Sequence, residues 1–248
     1  MSHSSNKYIY KMQSKKTSAQ LKQGARGIML GKYRNAISIL LASDLIINTI
    51  TLLTTTSYDT YIGIAIGLVV SVVLLLFGAI LNVGQCSFYL NIACGQPYEF
   101  SNLFTGLKMH PDKIIITQLL MQLFTTLPLI PAFVVMLITT AFYADNMVVS
   151  FFIACLLLII GAGLSWWIAL RFSQVYYLLL DFPDYSAWEL MKLSWRLMKG
   201  NVGRLLYMQV SFIPLTLAGL ISFGIGLLLV QPYQNMTYTL FYLDLMKE

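Results

Sequence analysis

The sequence predicts an all-α integral membrane protein, a six-span helical bundle with a five-span alternative, and three observations predict it. Charged residues make up only 10% of the 248 and hydrophobic ones 58%, whereas about a quarter of the residues in an ordinary soluble domain are charged. Five stretches longer than 20 residues carry no charge or a single one, and a helix crosses the hydrocarbon core in about 20 residues. The cations lie between these stretches, so one face of the membrane can take them all. With a mean hydropathy of +0.72, too few ions remain to build a water-soluble surface. A soluble enzyme or binding domain is excluded.

Residues 1–17 read as a basic cytoplasmic tail and residues 18–248 as a single membrane domain. Eight cations (Lys7, Lys11, Lys15, Lys16, Lys22, Arg26, Lys32, Arg34) and no acid occupy the first 35 residues. No short apolar core with a small-residue cleavage site follows them closely, unlike a secretory signal, and a mitochondrial presequence would be richer in arginine. The tail is expected to hold the first span inside and to lie against anionic lipid.

The charge map places four spans at about 36–56, 61–90, 114–142 and 147–180. Pro128 and Pro131 predict a kink in the third. Leu205–Leu243 is too long for one span, and its middle, Ser222-Phe-Gly-Ile-Gly226, is a tight-turn sequence, which predicts short spans at about 204–223 and 227–245. Gln231, Pro232, Gln234 and Asn235 make the last segment rather polar, so one span followed by an amphipathic tail stands as the alternative. With six spans, all 16 basic residues fall on the cytoplasmic side: in the tail, at Lys108 and Lys113, at Arg171, Lys192, Arg196, Lys199 and Arg204, and at Lys247. Both termini then face the cytoplasm.

The cytoplasmic connections resemble one another. Ser186-Ala-Trp-Glu189 is a capping box that opens a helix stopping at Gly200. Trp188, Met191, Trp195 and Met198 are expected on one face and Glu189, Lys192, Arg196 and Lys199 on the other, as in a lipid-facing interfacial helix. Lys22 and Arg26 repeat the spacing of Lys192 and Arg196, with Gly31 and Arg34 near the places of Gly200 and Arg204. A looser version has Ser101 as cap, Leu103, Phe104 and Leu107 as apolar face, and Pro111 as stop. The inward spans end in matching runs, Gln85–Leu90, Gln174–Leu179 and Tyr238–Leu243. These features predict three parallel repeats of amphipathic helix plus transmembrane hairpin, although any interfacial helix needs a similar pattern.

The run Tyr176–Glu189, continuing Ser194-Trp-Arg-Leu-Met-Lys-Gly-Asn201, resembles the bacterial integral-membrane family catalogued as domain of unknown function 975. So do Gln209–Ile213, Gly224–Gly226, Gln231–Tyr233, Phe241–Leu245 and, in the first cytoplasmic connection, Cys94–Gly106. Where that family has a proline-glycine pair in the fourth span, this chain reads Ile160-Gly-Ala-Gly163. The resemblance implies a multi-span protein of the bacterial cytoplasmic membrane and brings no activity with it.

Ionisable groups that could converge for chemistry are nearly absent. Asp44 is the one acid deep in a span, about 12 Å in if the span starts near Ala36, and an intramembrane carboxylate is a functional candidate by default. Its structural reading is a neutral acid or a pair with Arg171. Asn48, Asn82, Gln85 and Gln174, with Gln231, Gln234 and Asn235, give the bundle a polar vein, read either as interhelical hydrogen-bond partners or as the lining of a substrate path. His3 and His110 are too far apart in sequence for a metal cluster, and no nucleotide-binding glycine loop occurs.

The expected role is therefore a non-catalytic accessory, assembly or lipid-associated membrane protein, with a transporter or export channel for a small or amphipathic solute as the alternative. No catalytic, cofactor or metal site is predicted. The expected partners are the bilayer's anionic headgroups and another membrane protein, and not nucleic acid, since sidedness already accounts for the cations. A cavity joining Asp44 and Gln85 to either side would favour transport; one open sideways between helices would favour lipid handling.

Overall fold

The computed structural model describes residues 15–54, 61–142 and 147–247. Most of the basic tail and the expected outer turns at Asp59 and Asp145 lie outside the described residues. Every regular element among them is a helix. Five helical stretches are long and apolar enough to cross a membrane: Tyr33–Leu52, Tyr61–Cys94, Pro111–Thr139, Phe151–Asp181 and Val202–Ile221.

Helix α1 (Ser18–Met29) precedes the spans. Thr17 caps it: the Gln20 amide donates to Thr17 Oγ1 (3.3 Å) and the Thr17 amide to Gln20 Oε1 (2.9 Å), a capping box that satisfies two otherwise orphaned donors. Leu21, Ala25 and Met29, four apart, form its buried face. The chain turns at Gly31, with φ of 76°, into α2 (Tyr33–Thr54), and α3 (Tyr61–Cys94) returns. Along α3 the environment changes abruptly. Ile62, Ile64, Ile66, Leu68, Val69 and Val73 are exposed, whereas Leu81, Val83, Phe88, Tyr89 and Ile92 are buried. The apolar sleeve is at one end of the molecule, and the packed core, with the cations, is at the other, hereafter the base.

After α3 a 3-10 turn (Phe100–Phe104) and the one-turn α4 (Thr105–Lys108) fold back onto it. Glu99, rather than the expected Ser101, opens this turn, its amide donating to Asn102 Oδ1 at 2.7 Å while Ser101 donates to its carboxylate. Of the expected apolar face, Leu103 is buried and Leu107 exposed. Pro111 begins α5 (Pro111–Thr126), where its missing N–H costs nothing. The predicted kink is a 3-10 turn at Leu127–Leu129 that leads into α6 (Ile130–Phe142). It packs on α7 (Met147–Phe172), where a Cβ on Gly161 would stand 2.6 Å from the Pro128 carbonyl oxygen. Helix α8 (Val175–Asp181) follows a break at Ser173–Gln174.

Ser186 and Glu189 form the predicted capping box of α9 (Ala187–Leu197). Gly200, at φ 81°, ends that segment, and the distance from cap to left-handed glycine equals that from Thr17 to Gly31. Helices α10 (Val202–Val210) and α11 (Ile213–Ile221) are separated because Pro214 has no N–H for the Val210 carbonyl. The predicted turn at Ser222–Gly226 is present, with Phe223 and Gly224 at positive φ and Ser222 Oγ accepting from the Gly226 amide at 2.8 Å.

The last helix, α12 (Leu227–Leu245), is too polar to count among the membrane-crossing stretches. Its neighbours explain how. Pro232, Tyr233, Thr237, Thr239, Tyr242 and Leu245 are buried on several sides of it, against α1, α2, α3 and α11. Protein, not lipid, surrounds most of this helix. Nor does α1 lie across the end of the bundle, as an interfacial helix would. It runs antiparallel along α12, with the Lys16 amide at Asp244 Oδ1 (3.5 Å), Gly24 facing Leu240, and Tyr233 Oη donating to the Lys22 carbonyl (3.3 Å).

The closest helix contact supplies a prediction. A Cβ on Gly84 would stand 1.9 Å from the Leu103 carbonyl oxygen, while one on Gly163 meets nothing within 4 Å. Gly84→Ala is expected to destabilise by about 3 kcal/mol, the upper range for overpacking against backbone, and Gly163→Ala to leave the detergent melting temperature unchanged or slightly raised.

Candidate functional site

Hydrogen bonds sort the expected polar vein into inside and outside. Gln85 Nε2 donates to Ser43 Oγ at 2.7 Å, and Ser43 donates in turn to the Ile39 carbonyl at 2.9 Å. Gln174 is buried in the break between α7 and α8, its amide nitrogen on Ser173 Oγ at 2.8 Å and its carbonyl oxygen without a partner. Asp44, Asn48 and Asn82, by contrast, face outward. The buried face of α2 is Ala36, Ile39, Leu40 and Ser43, which turns Asp44 and Asn48 away from the core. Asn48 Nδ2 donates to the Asp44 carbonyl at 2.8 Å.

The expected pair between Asp44 and Arg171 is not formed. The Arg171 guanidinium is turned toward α9, 4.7 Å from the Trp167 ring centre and 4.9 Å from that of Trp195. These indoles meet edge to face at 5.5 Å. Nη1 also donates to the Trp195 carbonyl (3.4 Å), and the Arg171 carbonyl accepts from Ser194 Oγ (2.8 Å). Two indole faces hold this cation in place of a carboxylate.

On α9 the expected single apolar face is split. Leu190, Met191, Ser194 and Met198 are buried in the base. Trp188 and Trp195 sit on the flank, 48% and 37% exposed, Trp188 stacking on Phe124 at 6.0 Å. Lys192 lies 5.3 Å above Trp188, and Arg196 and Lys199 are exposed. The 3.6-residue period explains the split: positions 188 and 195 are one seven-residue step apart, and 191 and 198 follow them round toward the core.

The sequence reading missed the layer that joins the inward helices. Tyr177 and Tyr242 stack at 4.9 Å, the Tyr177 hydroxyl is 3.0 Å from Thr239 Oγ1, Tyr242 donates to Asp181, and Tyr176 donates to Gln118. Their signal was present in the matched aromatic runs, which the sequence presented as a repeat without saying that the hydroxyls would meet. Arg204 completes the base: Nη2 bridges Asp244 Oδ2 at 2.6 Å and the Lys16 carbonyl at 2.8 Å. Lys22 donates to the Ser211 carbonyl at 3.0 Å and lies 4.0 Å above the Phe212 ring, and burial pushes its ammonium below the ordinary lysine value.

Most carboxylates near these groups are therefore engaged: Asp244 by Arg204, Asp181 by Tyr242, Glu189 and Glu99 at helix caps. Two clefts among the described residues lie away from Asp44 and Gln85. One, of about 330 Å³, lies at the base among Lys15, Lys16, Arg204, Tyr207 and Phe241. The other, of about 390 Å³, opens at the side between α1 and the α11–α12 hairpin, with Arg26 and Tyr33 at one end and Leu215, Ala218 and Leu229 as walls.

Over residues 12–248 the chain matches the family described as Protein of unknown function (DUF975), and it belongs to that family. No curated protein and no solved structure matches it.

Two predictions come from these contacts. Asp44→Asn and Arg171→Gln are expected to change detergent stability additively, within about 0.5 kcal/mol, while Arg171→Gln and Trp195→Leu are coupled; a double-mutant cycle measures both. Ser186→Ala is expected to cost about 1 kcal/mol. The Glu189 carboxylate accepts from the Ser186 amide and hydroxyl, which hold it below its ordinary value of 4.5. Its contribution is present above that value and is lost as the pH falls through the lower, folded-state one. The gap between wild type and Ser186→Ala therefore narrows in acid melts.

Proposed function

We propose that this member of the family is a non-catalytic, lipid-associated protein of the bacterial cytoplasmic membrane, in which both termini and the base face the cytoplasm. The observation that carries the reading is the position of the open cleft. It lies at the flank of the bundle, whereas Gln85 and Ser43 at its centre bond to each other. A transporter needs a passage through that centre; a lipid-associated protein needs a lateral opening.

Helix length supports a particular depth in the membrane. From Tyr61, beside the outer turn, to Gln85 is about 36 Å of helix, and from Met147 to Arg171 is the same. The hydrocarbon core is about 30 Å thick, so Gln85, Arg171 and Gln174 fall at or below its inner edge, level with the Trp167–Trp195 belt.

Placing the base in the cytoplasm also bears on the last hairpin. Lys22 and Arg26 lie beside Ser211, Phe212 and Tyr233, and each charge would cost about 2.5–3.5 kcal/mol at the centre of the bilayer. Helix α11 rises only about 13.5 Å. The layout that keeps these cations wet has α2, α3, α5–α6 and α7 as complete crossings. The α11–α12 hairpin enters the inner leaflet alone, its exposed tip of Ile221, Phe223 and Ile225 among the acyl chains. The matching caps at Thr17 and Ser186, and the meeting of the inward helices' aromatic runs, support three repeated units of which the third is the shallowest.

Single cysteines in a background without Cys86, Cys94 and Cys155 test the layout. Lys192→Cys is expected to react with a membrane-impermeant maleimide from the cytoplasmic side alone, and Phe223→Cys from neither side. Labelling of position 223 from outside would replace the half-depth hairpin with two full crossings. For function, reconstituted vesicles are expected to release encapsulated amino acids and small organic cations no faster than protein-free ones; protein-dependent release would establish transport instead.

A further inference from the structure

We propose that the lateral cleft between α1 and the α11–α12 hairpin is a binding site for one anionic phospholipid, with its phosphate on Arg26 and an acyl chain laid along the hairpin. The inference rests on the lipid-associated reading above for the occupant's route of access, but not for the chemistry of the site.

The cleft is built like an amphiphile. Arg26 is exposed at its mouth, its guanidinium 5.9 Å from the Tyr233 ring, with no carboxylate within ion-pair distance among the described residues. Arg204, about three turns nearer the base along the α1–α12 seam, already has Asp244. A guanidinium presents a planar fork of donors that matches phosphate oxygens, and the Tyr33 side chain lines the same end of the cleft. The walls beyond are Leu215, Ala218 and Leu229. Leu215 and Leu229 are 42% and 54% exposed, so the groove opens outward instead of being closed by neighbouring helices.

The floor is backbone. A Cβ on Gly226 would stand 2.7 Å from Gly219 Cα, so the two arms of the hairpin touch through glycines at the floor of the groove. At about 390 Å³ the cleft is within the ~300–1,000 Å³ range of small-ligand sites. Charge complementarity at one end and a continuous apolar trough at the other select a single anionic lipid over a zwitterionic one or a soluble phosphate.

Native mass spectrometry of the full chain in detergent, titrated with phosphatidylglycerol or phosphatidylcholine, tests this. Wild type is expected to retain one phosphatidylglycerol in preference to phosphatidylcholine. Arg26→Gln is expected to lose about fivefold in phosphatidylglycerol affinity, the worth of one cation near an anionic surface, and Arg26→Lys to recover most of it. Ala218→Phe, which fills the trough, is expected to lose the lipid while inorganic phosphate fails to compete in wild type. Arg196→Gln, an exposed cation on α9, is the control and is expected to bind as wild type. The proposal is overturned if Arg26→Gln binds as wild type, or if Arg196→Gln loses as much, since either result reduces the effect to general surface charge. It is overturned too if phosphate alone displaces the lipid. Because the measurement is made in detergent, its outcome is independent of the hairpin's depth and of any vesicle flux.

Discussion

Packing around α12 is the constraint from which the rest of this structure follows. The helix carries Gln231, Gln234, Asn235, Thr237 and Thr239, and such a surface is expensive against lipid. Packed against α1, α2, α3 and α11, it buries Thr237 and Thr239 fully and Gln234 and Asn235 in part, and leaves Gln231 exposed. In turn it gives α1 a surface to bury Leu21, Ala25 and Met29 against, and it brings Arg204 and Asp244 together at 2.6 Å. Its aromatic rings face two cores: Phe241 packs in one with Phe88 and Tyr89 of α3, and Tyr242 in the other with Tyr177 of α8.

The helices and most of their ends were legible in the sequence, because a missing charge, a capping box, a proline and a glycine turn are local signals. Ser186–Glu189, Gly200, Pro128 and Ser222–Gly226 all act where the residues said they would. Depth was not legible. Counting apolar residues gives where a helix can cross, and it does not reveal that a 34-residue helix such as α3 is exposed along one half and packed along the other. That distinction depends on which neighbours reach which level, and those neighbours are distant in sequence.

The polar residues divide in the same way. Apolar surroundings predict an interior place for Gln85 and Gln174; Gln174 is buried and Gln85 half-buried. The same surroundings predict the same place for Asp44, Asn48 and Asn82, which are exposed. Nothing local separates the two groups; α2 presents Ser43 to Gln85 of α3 and turns Asp44 outward. Opposite charge makes a carboxylate the expected partner of Arg171. Its site, between Trp167 and Trp195, required knowing that α9 folds back beside α7. Cation–aromatic pairs leave little trace in a linear sequence.

The antiparallel seam between α1 and α12 has a consequence for biogenesis. The segment that emerges from the ribosome early cannot reach its resting place until more than 200 residues later, when α12 has been made. Until then Leu21, Ala25 and Met29 lack the α12 side of the core that they share with Ala36, Ile39 and Phe88, so α1 is only partly covered while the rest of the chain is made. Contacts of such long sequence separation form late. Deleting the final turns of α12 should therefore leave the early crossings inserted and α1 unseated.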